Sequence, residues 1–196
     1  MAPIIGVKFF PQASAANTTI EALFVFATGF LFRPLGGIVF GYFGDTCGRS
    51  KTLRISISVI TLSTVLISVI PSYDEIGITA SILLILLRLI QGLSIGGEYS
   101  GTMIYLAESA PRNKRGFVTS FAAIGANSGF LLATAALMLL HLFFTEEAIN
   151  HWAWRLPFLL IGLLGSLIIY YRFTLSETPV YSHLQKNIAL CLPPLL

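Results

Sequence analysis

Charge is scarce in this chain. Only 11% of its 196 residues are Asp, Glu, Lys or Arg, whereas soluble domains carry about 25%. So little charge cannot clothe a water-soluble globule. The small net charge of +3 is spread in short clusters; no basic stripe of the kind a nucleic-acid partner needs is present. Cysteine is scarcer still: Cys47 and Cys191 lie far apart in segments of different kinds, which excludes a disulfide framework. No metal-ligand spacing occurs around His141 or His151, and nothing calls for a cofactor. The opening Met-Ala-Pro-Ile-Ile-Gly-Val-Lys has neither the basic start nor the long apolar run of a secretory signal.

What the chain has in abundance is apolar sequence, 55% of all residues, with a mean hydropathy of +0.82. The lipid bilayer is therefore its expected solvent and partner. A helix needs about 20 mostly apolar residues to cross the hydrocarbon core, and on that measure the sequence predicts about five spans: 21–43, 54–71, 79–106, 117–142 and 154–175. Ile4–Phe10 is too short to cross, Pro11 stops it, and a polar stretch from Gln12 to Thr19 follows. Arg49, Lys51 and Arg54 fall in one connection, Arg112, Lys114 and Arg115 in another, Arg172 at the end of the last span and Lys186 after it, all on one side. The opposite connections carry Asp74, Glu75, Glu146 and Glu147. The excess of Lys and Arg places the first side in the cytoplasm. Trp152 and Trp154 suit an interfacial aromatic belt at the start of the last span.

Three charges fall inside spans. Arg33 lies roughly 15 Å from the cytoplasmic end of its helix, and Arg88 roughly 12–14 Å from the outer end of span 79–106. Glu98 sits further along the same helix. Each such charge costs about 2.5–3.5 kcal/mol at mid-depth, so all three are expected to face a polar interior or one another. Two readings stand: ion pairs that lock helices together, Glu98 with Arg33 for instance, or a substrate or proton path with Glu98 as its protonatable group. Gly37 and Gly41, Gly92 and Gly96, and Gly125 and Gly129 form three small-xxx-small pairs suited to close helix packing. Gly92-Leu-Ser94-Ile-Gly96 fits the Gly-x-Ser-x-Gly pattern of serine hydrolases, but that pattern needs a strand and a sharp turn. Apolar helix continues on both sides here, so no enzyme is expected and no catalytic residue is assigned.

Gly41-Tyr-Phe-Gly-Asp45-Thr-Cys-Gly48-Arg49-Ser-Lys51 resembles the loop signature that joins the second and third spans of the major facilitator superfamily. Thr46 and Ser50 depart from it, standing where that signature is usually basic. Arg88-Leu-Ile-Gln91-Gly92 is similar to the Arg-x-x-Gln-Gly motif of the fourth span, and Glu108 to Gly116 to the charged loop after it. Arg33-Pro-Leu-Gly-Gly, Gly96-Gly-Glu98-Tyr-Ser-Gly, Pro71-Ser-Tyr-Asp-Glu-Ile-Gly-Ile, Trp154-Arg-Leu-Pro-Phe and Glu177-Thr-Pro narrow the resemblance to the metabolite–proton symporter branch, and within it to proline/betaine transporters.

The resemblance implies an all-α membrane protein: a partial major-facilitator N-terminal helix bundle of five transmembrane helices plus a stub of the first. Residues 1–185 would form this transporter half and 186–196 a divergent tail, the chain being truncated at both ends. Gly41, Asp45, Gly48, Arg49, Glu108 and Arg115 would belong to a cytoplasmic gate. Arg88 would sit near the proton-coupling machinery, with Arg33 and Glu98 at or near the central cavity. The implied function is that of a fragment of a proton-coupled symporter of a compatible solute such as proline or glycine betaine, in a bacterial inner membrane and inactive alone. A dicarboxylate or other carboxylate metabolite, or a vestigial protein without transport, are the alternatives. Protons, a small zwitterionic or carboxylate solute and a second transporter half are the implied partners.

Overall fold

A computed structural model describes residues 2–11 and 15–182; the tail at 186–196 lies outside the described residues. The chain runs α1 (Ala2–Phe9), α2 (Ala15–Leu31), α3 (Arg33–Cys47), α4 (Arg49–Val69), α5 (Tyr73–Ile76), α6 (Ile78–Ser109), α7 (Arg115–Phe143), α8 (Glu146–His151) and α9 (Leu156–Arg172). Among the described residues, five stretches are long and apolar enough to cross a membrane: Leu23–Cys47, Arg49–Val69, Ile78–Ser109, Arg112–Phe143 and Ala153–Arg172. They coincide with the five spans expected from hydropathy, with two differences. Helix already begins at Ala15 within the polar stretch, and the first span breaks at Phe32. Pro34 explains the break, because it has no N–H to give the Phe30 carbonyl.

The turn between the first two spans is also tighter than the sequence suggested. α3 stays helical through Gly41, Gly44 and Asp45, and only Gly48 leaves the helix, at φ +109°. That left-handed backbone favours glycine. One residue thus reverses the chain, and α4 packs back against α3.

α6 is the central element and touches α2, α3, α4 and α7, while α4 lies between α6 and α9. The buried face of α4 is unusual for a helix core: it carries Ser50, Thr52, Ser56, Thr61, Ser63, Thr64 and Ser68. In lipid the outward face can be fully apolar, so the inward face is free to be small and polar. Several of these hydroxyls are satisfied within the helix, Ser63 donating to the Val59 carbonyl at 2.7 Å and Thr64 to the Ile60 carbonyl at 2.7 Å.

Close approach is concentrated where α6 meets α2 and α3, and where α4 meets α9. A Cβ at Gly92 or Gly96 would collide with the Gly29 or Arg33 carbonyl, and one at Gly36 with the Leu93 carbonyl. Gly162 and Gly165 likewise admit Val65 and Thr61. Of the three glycine pairs expected to pack, only Gly92/Gly96 does so. A Cβ on Gly37, Gly41, Gly125 or Gly129 would meet nothing within 4 Å, because these residues sit on helix faces that no described residue approaches.

An apolar core closes the end of the bundle opposite Gly48. Phe9 and Phe158 each meet the Trp154 ring edge-on at 6.1 Å, with Ile5, Ile67 and Leu84 around them. Ser81 donates to the Phe9 carbonyl at 2.6 Å and ties α1 to α6. Trp154 is therefore a core residue, 2% exposed, and not the outward-facing belt residue expected of it, whereas Trp152 is 51% exposed.

Candidate functional site

Arg33 and Arg88 line one cavity of about 90 Å³ between α2, α3 and α6, together with Phe26, Phe30 and Gln91. Side chains on a helix lean toward its N-terminus, which brings Arg33 back to the level of Phe30. Its guanidinium lies 3.9 Å from that ring's centre. Arg88 stacks on Phe26 at 4.3 Å and donates to Gln91 Oε1 at 3.1 Å. Gln91 is anchored in turn, donating to Thr64 Oγ1 at 2.8 Å. The Nε atoms of both arginines are buried with no hydrogen-bond partner among the described residues. A larger cavity of about 460 Å³ between α7 and α9 is lined by Leu, Phe, Ala and Pro alone and offers no group that could select a polar solute.

Glu98 does not pair with Arg33. Both its oxygens are taken by Arg172 at the end of α9, with Oε2 also accepting from Ser56 and Oε1 from Thr102 at 3.4 Å. Arg172 donates to the Leu53 carbonyl as well, at 2.9 Å. Both side chains are largely buried. The cluster joins α4, α6 and α9 nearly three turns of α6 beyond Arg88.

At the basic end, Arg49 bridges Asp45 at 2.7 Å and Glu108 at 3.4 Å. Thr178, fully buried, donates to the other Glu108 oxygen at 2.7 Å. Glu177 accepts from the backbone N–H groups of Ser50 and Lys51, at 3.1 and 3.3 Å. These are donors left free at the start of α4, where a negative charge is also favoured by the helix dipole. The Glu177 carboxylate lies so close to Gly48 that a Cβ there would touch it. Arg112 and Arg115 stay exposed and enter no ion pair among the described residues, so the network is narrower than the charged loop suggested. Gly41 supplies no close helix contact.

Ser94, of the Gly-x-Ser-x-Gly pattern, is buried in mid-α6, in unbroken helix, its hydroxyl without a partner among the described residues. Residues 2–189 match the sugar (and other) transporter family. The chain belongs to that family, within the major facilitator superfamily, and is a multi-pass membrane protein. This transporter chain is 45% identical over 183 residues to the glycine betaine/proline/ectoine/pipecolic acid transporter OusA of Dickeya dadantii, matching 93% of its own length and 36% of that protein. It is 43% identical over 166 residues to the shikimate transporter of Escherichia coli, matching 84% of itself and 38% of that protein. The fold resembles the xylose transporter XylE of E. coli in a partially occluded inward-open conformation, at a TM-score of 0.84 and 21% identity, over 94% of this chain and 45% of that one. The chain thus spans between a third and two fifths of the length of these curated relatives.

Two buried or capping groups, Arg172 and Glu177, were not singled out from the sequence. Arg172 read as a loop cation because it ends the final span, and Glu177 as a mere motif letter. A signal for the second was available, an acidic residue just past the last span on the side where Lys and Arg gather.

Proposed function

We propose that the chain is the N-terminal portion of a proton-coupled symporter of the bacterial inner membrane, and that the complete protein carries a compatible solute such as proline or glycine betaine. The observation that carries this reading is the 45% identity to a glycine betaine/proline/ectoine/pipecolic acid transporter across 93% of the chain. Transporters of this architecture hold substrate near midplane between two halves, so the isolated chain is expected not to transport. The Asp45–Arg49–Glu108 cluster, with Gly41, Gly48 and Arg115 around it, serves as the cytoplasmic gate. Arg33, Arg88 and Glu98 belong to the substrate or proton pathway.

A second reading, another carboxylate metabolite, is supported by the 43% identity to a shikimate transporter. Glycine betaine, proline, ectoine, pipecolic acid and shikimate differ in charge and shape, yet each bears one carboxylate.

A chimera tests both. This chain replaces the matching 183 residues of the Dickeya transporter, and uptake is followed in proteoliposomes. Uptake of glycine betaine or proline, abolished by a protonophore, is expected from the chimera and none from this chain alone. Uptake of shikimate but of neither compatible solute would transfer the assignment to the second reading. A folded chimera that moves none of the three would end both.

A further inference from the structure

Arg49 and Arg172, the largely buried cations of the basic end, each meet a carboxylate. Arg33 and Arg88 lie deeper in the bundle, yet no described carboxylate is within ion-pair distance of either. Two like charges sharing a small, weakly polar space raise each other's energy, and an anion between them relieves both at once.

The two guanidinium groups are also held ready. Phe30 and Phe26 cover one face of each, and the Gln91–Thr64 relay fixes the turn of Arg88. Each keeps a buried Nε–H with no acceptor among the described residues. The planar guanidinium edge matches the two oxygens of a carboxylate. The cavity, about 90 Å³, has room for one such group with a water or two, a water's share of liquid volume being about 30 Å³. The rest of the solute must lie outside it.

We infer that Arg33 and Arg88 together form a subsite for the single carboxylate group of a small organic solute, and that Glu98, occupied by Arg172, takes no part in it. The inference rests on the transporter reading for the identity of the solute, but not for the chemistry of the subsite.

The test is the thermal unfolding of the purified 196-residue chain in detergent at fixed ionic strength, with sodium acetate, glycine betaine, succinate or choline chloride added. A ligand at about ten times its Kd is expected to raise Tm by about 3–6 °C. Acetate and glycine betaine should give that rise and choline, which has the quaternary ammonium but no carboxylate, should not. Arg33→Gln and Arg88→Gln should each weaken binding at least tenfold, cutting the rise at the same concentration to about 1–2 °C or less. Neither variant removes the partner of a carboxylate, so both should fold; should Arg88→Gln fail through loss of the Gln91 contact, Arg33→Gln decides alone. No rise with any carboxylate, an equal rise with choline, or a rise that survives both substitutions overturns the inference. Succinate acting at a tenfold lower concentration than acetate overturns the single-carboxylate assignment. A rise with acetate but not with glycine betaine upholds the subsite and counts against the compatible-solute reading.

Discussion

Arg172 ends α9, where a cation ordinarily meets the last carbonyls of its own helix. It reaches across the bundle instead, to Glu98 on α6 and the Leu53 carbonyl on α4. Removing one member of a buried pair leaves the other charge uncompensated, at a cost of about 3–5 kcal/mol, while replacing both with apolar residues is often neutral. Arg172→Met and Glu98→Leu are each expected to lower Tm substantially, and the double variant to recover most of the loss. Equal and additive losses would show that the pair is not coupled and that Glu98 is free for another role. The partner could not be named from the sequence. Depth within a span tells how costly a charge is, but not which way the side chain points, so the sequence suggested Arg33, an intramembrane cation, and passed over Arg172 at the end of the last span. The pairing follows from α9 lying against α4, a tertiary fact that hydropathy does not encode.

Elements were far more legible than pairings. Five spans emerge from hydropathy because a bilayer demands a long apolar run whatever the fold, and the single break that was missed, at Phe32, was marked by Pro34. Glycine spacing was half informative for a clear reason: Gly-xxx-Gly says that two small residues share a face, not that another helix lies against it. Gly96 and Gly129 separate these cases. A Cβ at Gly96 would strike the backbone carbonyl of Arg33, which cannot swing aside as a side chain can; one at Gly129 meets open space. Gly96→Ala should therefore lower Tm by forcing α3 and α6 apart. Gly129→Ala should leave it unchanged or raise it slightly, since alanine is favoured over glycine inside a helix by up to about 1 kcal/mol. Shifts of the same sign and size at both positions would show that the α3–α6 contact is not tight.

At the scale of the molecule, charge is sorted between the two ends of the bundle. The α3–α4 turn and the segment after α9 meet through Glu177 and Ser50, and the end of α6 joins them through Glu108, with Lys51, Arg112, Lys114 and Arg115 exposed around them. The other end gathers α1, α5 and α8, where Arg155 is turned inward to the Ile70 carbonyl and Asp74, Glu75, Glu146 and Glu147 outnumber Lys8. Positive-inside sorting then puts the Arg49 network in the cytoplasm. Cys47, exposed and free beside that network, is a built-in probe of the orientation. In a Cys191→Ser background, a membrane-impermeant maleimide should label Cys47 in inverted vesicles and not in intact cells. A chain carrying Glu147→Cys, with both native cysteines replaced by serine, should show the opposite. Labelling of Cys47 from outside would invert the molecule and place Asp45, Arg49 and Glu108 on the wrong face for a cytoplasmic gate. The arginine cavity would survive that result, since it depends on depth and on there being no carboxylate beside it among the described residues, not on which end faces the cell.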